Sequence, residues 1–273
     1  MPILKHLLTI TLITAISTYL AFGIYLYFNQ HKALYHPTSH DFFDCPSFAD
    51  AEAITHKGTR FFYDKAISQT SKNKNPALQD KLAVLYHGNA SSACNSTYWK
   101  KIFEDHNTSY IIVEYSGYAG DPKTPNLNDI LQDVRNINDY LQTLNFNQLI
   151  FIGASLGSGP AAYHTTLTTP NKLLLIPTYT SIADVAQHHY PYYPIKLMIK
   201  DNFTPKEWLK DYQKSLLIIH GTDDQLLPFY LTEILYKSVP TLTKQLIKIH
   251  QSEHNNIYIQ SQTINAIFDF LSK

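Results

Sequence analysis

Apolar and polar positions alternate in blocks along most of the chain, and these blocks have the lengths of strands and helices. Short apolar runs rich in β-branched residues predict buried strands, and apolar residues spaced three and four apart predict amphipathic helices. Strands are predicted at residues 81–86, 109–114, 148–152, 172–176, 215–219 and 244–249. Helices are predicted at about residues 91–104, 126–145, 156–167, 228–238 and 257–271. This alternation predicts an α/β fold, with a mostly parallel sheet and helices on both faces.

The N-terminal residues 7–28 are apolar and carry no formal charge. This segment is long enough to cross a membrane, and Tyr25 and Tyr27 at one end fit an interfacial aromatic belt. Its apolar core is longer than that of a cleavable signal peptide, so we predict an uncleaved single-pass anchor. Lys5 precedes the span and Lys32 follows it. The positive-inside rule leans towards a cytoplasmic N-terminus, with the rest of the chain on the non-cytoplasmic side.

After the anchor, residues 29–50 are predicted to be an irregular connector, and residues 51–273 a single domain. The domain is predicted to open with a hairpin around Lys57 and Gly58. The polar segment 68–79 is predicted to be an exposed loop. Residues 177–214 are rich in aromatic side chains and too short for a large lid domain. They form either a small apolar cap over an acyl chain or a helix whose aromatic residues pack on the sheet, and both interpretations stay open.

Composition indicates a globular domain and gives no support for nucleic-acid binding. The 273 residues are 44% hydrophobic, enough for a sizeable core, and the formal net charge of zero gives no indication of a nucleic-acid partner. Cys45 and Cys94 match neither a metal-binding spacing nor a disulfide framework. Two unpaired thiols are the favoured interpretation, and a bridge is the alternative if the domain lies in an oxidising compartment.

The strand at 148–152 runs directly into Gly153-Ala154-Ser155-Leu156-Gly157. This stretch fits the G-x-S-x-G pattern of a nucleophile elbow, in which a strained turn between a strand and a helix exposes a serine hydroxyl. A side chain at either glycine would collide with the neighbouring strand or helix. The motif therefore predicts Ser155 as a nucleophile.

A serine needs a histidine base and a carboxylate that orients the base. In a parallel sheet such residues follow the carboxyl ends of later strands. Asp223 and Asp224 follow one such strand, and His250 and His254 follow the next. The order Ser, Asp, His is that of the elbow-containing hydrolases. Asp224 and His254 are favoured over Asp223 and over His250, which stands at the strand end.

The backbone N–H groups of Leu156 and of the loop after residue 86 are expected to form an oxyanion hole. That loop is His87-Gly88-Asn89-Ala90. His87 precedes the nucleophile in the chain, so it is expected to brace the loop rather than to act as the base.

The chain from Tyr35 to its C-terminus resembles the α/β-hydrolase superfamily, and within it the N-terminally membrane-anchored, lysophospholipase-like and protein-depalmitoylating serine hydrolases. The resemblance rests on residues 87–90, 114–120, 153–157, 220–224 and 253–255. Position by position it implies Ser155 as nucleophile, Asp224 as acid and His254 as base, with Asn89 and Leu156 as oxyanion donors. Ser116, where the family pattern usually has Arg, and Ala154, where it often has a larger or polar residue, depart from that pattern beside the site.

The resemblance implies hydrolysis of an ester or thioester of a small-molecule or lipid-like acyl substrate, with no metal or organic cofactor. Two other classes stay open: a serine peptidase or amidase with the same triad, and a catalytically silent anchored scaffold.

Overall fold

The computed structural model describes residues 2–66 and 78–272. Within these residues, eight strands form one sheet in the order β1-β2-β4-β3-β5-β6-β7-β8. The strands are β1 (Glu52–His56), β2 (Thr59–Asp64), β3 (Leu78–Tyr86), β4 (Ser109–Glu114), β5 (Asn145–Ala154), β6 (Lys172–Ile176), β7 (Ser215–Gly221) and β8 (Lys244–Ile249). Pairing is antiparallel from β1 to β2 and from β2 to β4, and parallel across the rest of the sheet. The mostly parallel α/β fold is confirmed, and so is the hairpin at Lys57 and Gly58.

Helices cover both faces of the sheet. They are α1 (Pro2–Leu34), α2 (Thr97–Asp105), α3 (Leu127–Leu141), α4 (Ser158–His164), α5 (Ile182–His189), α6 (Ile195–Met198), α7 (Pro205–Trp208), α8 (Phe229–Ser238) and α9 (Ser261–Ser272). Residues of α3, α4 and α8 join one buried apolar cluster, and residues of α2 and α9 join a second. The central strands contribute alternate side chains to the two clusters, as a sheet buried on both faces requires.

Several predicted boundaries were wrong by part of an element. The helix predicted from residue 91 begins at Thr97, and the closing helix begins at Ser261 after a short 3₁₀ turn at Asn256–Ile259. The predicted loop 68–79 lies outside the described residues up to position 77, and its last two residues open β3.

The N-terminal helix α1 is longer than the apolar segment that predicted it. It continues through the polar residues 29–32 to Leu34, so the prediction of an irregular connector from residue 29 was wrong there. Among the described residues, one helix has the length and apolar character needed to cross a membrane, and it is α1. The 3₁₀ turn Pro46–Phe48 lies in the rest of the connector, and Phe48 is buried.

Cys45 and Cys94 form a disulfide, with Cα atoms 5.8 Å apart. The expectation of two unpaired thiols was therefore wrong. The bond ties the connector to the segment after β3, although the two cysteines are 49 positions apart in sequence. Two cysteines at such a separation carry no pairing signal, because only the folded chain brings them together.

Candidate active site

Ser155 stands at the turn that follows β5, as the elbow motif predicts. Its φ of 51° lies in the left-handed region, a strained conformation for a residue with a side chain. A Cβ atom at Gly157 would lie 2.1 Å from the carbonyl oxygen of Tyr86, and one at Gly153 would lie 2.7 Å from the carbonyl oxygen of Gly157. Only glycine fits at both flanking positions, so the local packing explains the motif.

The structure brings Ser155, His254 and Asp224 together. Ser155 Oγ lies 3.0 Å from His254 Nε2, and His254 Nδ1 lies 2.8 Å from Asp224 Oδ2. The three residues follow β5, β8 and β7 at the carboxyl edge of the parallel part of the sheet. This is the linear arrangement that a nucleophile, its base and an orienting carboxylate require.

Asp224 is held by more groups than the sequence indicated. Its Oδ1 accepts hydrogen bonds from the backbone N–H groups of Leu226 and Leu227 at 2.9 and 2.8 Å. The fully buried His220 places Nε2 3.2 Å from Oδ2. Burial works against ionisation, but the hydrogen bonds from His220, His254 and Leu227 outweigh it and hold the pKa of Asp224 well below its usual range. The carboxylate therefore stays charged beside His254.

The alternative residues lie elsewhere. Asp223 is exposed, and its Oδ1 accepts a hydrogen bond from the hydroxyl of Thr222 at 2.9 Å. His250 is exposed at the end of β8. His220 was in the sequence motif but received no role, because only the fold shows that it points back to Asp224.

The predicted oxyanion residues Asn89 and Leu156 line the same cavity as Ser155. His87 braces the loop as expected: its Nδ1 lies 2.8 Å from the Gly88 carbonyl oxygen, and its Nε2 lies 3.0 Å from Glu114 Oε1. The Asn89 side chain has a role that the sequence did not indicate. Its Nδ2 donates to the carbonyl oxygen of Leu34 at 2.6 Å.

Ser116, which departs from the family pattern, faces a buried carboxylate. Its N–H and hydroxyl donate to Asp133 at 2.7 and 3.1 Å, and Thr59 donates to the same side chain at 2.7 Å. Burial raises the pKa of Asp133 to about 6 despite these hydrogen bonds. An uncharged serine therefore satisfies this carboxyl group by hydrogen bonding, without an ion pair.

Above Ser155 lies a cavity of about 750 Å³, a size typical of small-molecule sites. Aliphatic side chains of the 177–214 segment form much of its lining, among them Ile182, Val185, Ile195 and Met198. Other members of the segment do not face it: Trp208 packs against Tyr163, and Tyr192 is 84% exposed. The segment thus combines both sequence interpretations, since part lines the cavity and part packs elsewhere.

Solved structures show the fold family. An esterase of Pyrococcus furiosus superimposes with a TM-score of 0.66 at 12% sequence identity, over 87% of this chain and 98% of the esterase. The chain has the α/β-hydrolase fold. No family model matches its sequence.

Curated relatives of this chain are distant in sequence. An uncharacterized protein of Mycobacterium tuberculosis is 24% identical over 234 residues, which cover 82% of this chain and 80% of that protein. The lysophosphatidylserine lipase ABHD12 of Bos taurus is 26% identical over 221 residues, which cover 70% of this chain and 56% of the lipase. This chain therefore spans a little over half the length of the lipase.

Proposed function

We propose that this protein is a membrane-anchored serine hydrolase that cleaves carboxylic ester or thioester bonds of a small-molecule or lipid-like acyl substrate. The observation that carries the proposal is the hydrogen-bonded row of Ser155, His254 and Asp224, with 3.0 and 2.8 Å between neighbours. It begins at Ser155, whose backbone is strained at φ 51°. Two residues to either side, Gly153 and Gly157 leave no room for a Cβ atom. A turn with only a structural role has no need of a base and a charged carboxylate behind it.

In the first half of the reaction His254 Nε2 takes the hydroxyl proton of Ser155 as Oγ attacks the acyl carbonyl carbon. Asp224 holds the imidazole through Nδ1 and stabilises its charged form. The backbone N–H groups of Asn89 and Leu156 donate to the oxyanion. The leaving alcohol or thiol then receives the proton from His254, and the acyl group stays on Ser155.

In the second half, water attacks the acyl-serine ester, and His254 again takes the proton as general base. Collapse of the intermediate releases the carboxylic acid and returns the proton to Ser155 Oγ. None of these steps uses a metal or an organic cofactor.

The substrate class is supported by the lining of the cavity and by the relatives. Aliphatic side chains suit an acyl chain better than a polar group. Relatives of known activity include an esterase and a lipase, and α1 is long and apolar enough to hold the domain at a bilayer.

A fluorophosphonate probe tests the proposal, because it reacts only with a serine that a base activates. The parent protein in detergent should be labelled, and so should His250→Ala, which alters an exposed histidine. Ser155→Ala and His254→Ala should not be labelled. An unlabelled but folded parent would leave the catalytically silent scaffold as the better hypothesis. Hydrolysis of peptide amides in preference to p-nitrophenyl esters would instead favour the amidase.

A further inference from the structure

The C-terminal part of α1 borders the cavity at Ser155. Residues 25–27 and 29–34 line it, together with residues of α5 and α6. Leu26 is half-buried there, although the helix residues on either side of it are exposed. Leu34 packs against the larger apolar cluster of the domain. A helix that served only as an anchor would not need to contact the cavity.

Polar contacts hold this part of α1 to residues 177–214, here called the cap segment. Gln30 donates to the Met198 carbonyl oxygen at 3.2 Å and accepts from the Lys200 N–H at 2.7 Å. Nearer to the N-terminus of α1, the rings of Tyr19 and Tyr193 stack with centroids 4.6 Å apart. The helix is therefore fixed against the segment that supplies another part of the cavity lining.

The end of α1 is joined to the predicted oxyanion loop. Asn89 donates from Nδ2 to the carbonyl oxygen of Leu34 at 2.6 Å and accepts from the N–H of His36 at 2.9 Å. Asn89 and Ser155 line the same cavity. The Leu34 end of the helix consequently lies at the reactive end of the cavity, and Leu26 lies farther away, about 12 Å along the helix.

The character of the wall changes along this length. Leu26 is aliphatic and lines the cavity together with Val185 and Ile195 of the cap. Nearer to Leu34 the helix presents Asn29, Gln30 and His31, and His31 Nε2 lies 3.6 Å from Asp201 Oδ2. The wall supplied by α1 is therefore aliphatic at Leu26 and polar at residues 29–31, which lie nearer to Leu34 and the predicted oxyanion loop.

We infer that α1 is a substrate-binding element as well as an anchor, and that residues 25–27 and 29–34 form one wall of the acyl-chain site. This inference rests on the proposed ester hydrolysis at Ser155. The substrate is an acyl ester whose carbonyl lies at Ser155 and whose chain extends along α1 towards Leu26. Leu26 is a specificity-determining residue for the length of that chain.

The test compares Leu26→Ala with Leu12→Ala in the full-length protein. Both variants make the same change in the same helix, and Leu12 is 61% exposed and lies about four turns earlier. The measurement is kcat/KM for p-nitrophenyl decanoate and p-nitrophenyl acetate in the same detergent micelles. Leu26→Ala should lower kcat/KM for the decanoate by about tenfold, the effect of losing apolar pocket contacts, and leave the acetate nearly unchanged. Leu26→Trp, which fills the cavity, should also lower the decanoate value selectively.

A decanoate-to-acetate ratio that is the same in the parent and in the Leu26 and Leu12 variants would overturn the inference and leave ester hydrolysis standing. An equal fall of the ratio in Leu12→Ala and Leu26→Ala would also overturn it, because the effect would then come from the membrane segment as a whole. A folded parent that hydrolyses neither ester would overturn the proposed function, and the inference with it.

Discussion

Asp224 and Asp223 are adjacent in the chain but have different surroundings: Asp224 is buried against His254, and Asp223 is exposed. Replacing it with asparagine keeps its shape but presents an amide in place of a carboxylate to His254 Nδ1. The imidazole is then held in the wrong tautomer, so kcat for ester hydrolysis should fall by about 10⁴-fold. Asp223→Asn is the matched control, because Asp223 is the adjacent residue and is exposed. Its rate should stay within about twofold of the parent, as expected for a surface change.

Equal losses in the two variants, or activity retained in Asp224→Asn, would exclude Asp224 as the orienting acid. The pKa of Asp224 is held below its usual range. Protonation of this carboxyl group should therefore not limit activity in mildly acidic buffer.

A second prediction concerns Asp133, whose pKa is raised by burial from 3.8 to about 6. The folded state then binds more protons than the unfolded state between these two pKa values. Its contribution to stability is present below pH 4 and is lost as the pH rises through about 6. The loss is on the order of 2 to 3 kcal/mol, since one pKa unit corresponds to 1.36 kcal/mol.

Urea denaturation at pH 4.5 and pH 7 measures this contribution by comparison with variants. Asp133→Asn should remove that part of the pH dependence. Asp211→Asn, a change at an exposed carboxylate, should retain it. The same pH dependence in all three proteins would mean that Asp133 has an ordinary pKa.

Sequence reasoning reached the site residues because a motif of fixed spacing and a fixed chain order point to them. Ser155, Asp224 and His254 each follow a strand, and parallel strands end at the same edge of a sheet. The position of His220 behind Asp224 and the contact of Asn89 with Leu34 could not be predicted. Both depend on the directions of side chains relative to distant segments, which no local pattern records.

At the scale of elements, the elbow between β5 and α4 tolerates no added atom at Gly157. A Cβ there would lie 2.1 and 2.6 Å from two backbone carbonyl oxygens, and backbone cannot move aside as a flexible side chain can. Gly157→Ala should therefore prevent accumulation of folded protein, measured by near-UV circular dichroism and by the yield after gel filtration.

Gly58→Ala is the control: its φ of 89° strains an alanine, but no atom lies within 4 Å of the new Cβ. It should fold, with a loss of about 1 kcal/mol. A folded, active Gly157→Ala would show that the elbow is looser than this packing implies.

The bounds of strands and helices were predictable where a single apolar pattern covers the whole element. The strands β6 and β8 match their predicted bounds, because apolar runs between polar loops mark both ends. The end of α1 was missed because apolar character stops near residue 28, whereas backbone hydrogen bonding and contacts with the cap carry the helix to Leu34. The cavity wall that α1 supplies was missed for the same reason, since its partners are more than 150 positions away in the chain.

At the scale of the whole molecule, the disulfide and the charge pattern favour the same orientation in the membrane. Disulfides persist in oxidising compartments, which lie on the non-cytoplasmic side, and the lean of the positive-inside rule agrees. Protease should therefore digest the domain in right-side-out vesicles and leave it intact in sealed inside-out vesicles. A non-reducing gel should show a mobility shift on reduction in the parent and none in Cys45→Ser. Digestion in the opposite orientation would assign the domain to the cytoplasm.

The length of α1 has one more consequence. At 33 residues the helix is about 50 Å long, roughly 20 Å more than the hydrocarbon core of a bilayer. With residues 7–28 in the hydrocarbon core, residues 29–34 extend about 9 Å beyond it, so the part of the cavity they border lies at the level of the lipid headgroups or just above it. On the proposed function, the protein therefore meets a lipid ester in two dimensions, at the membrane surface. Its turnover should then follow the mole fraction of substrate in the surface, and adding inert lipid at constant bulk concentration should slow it.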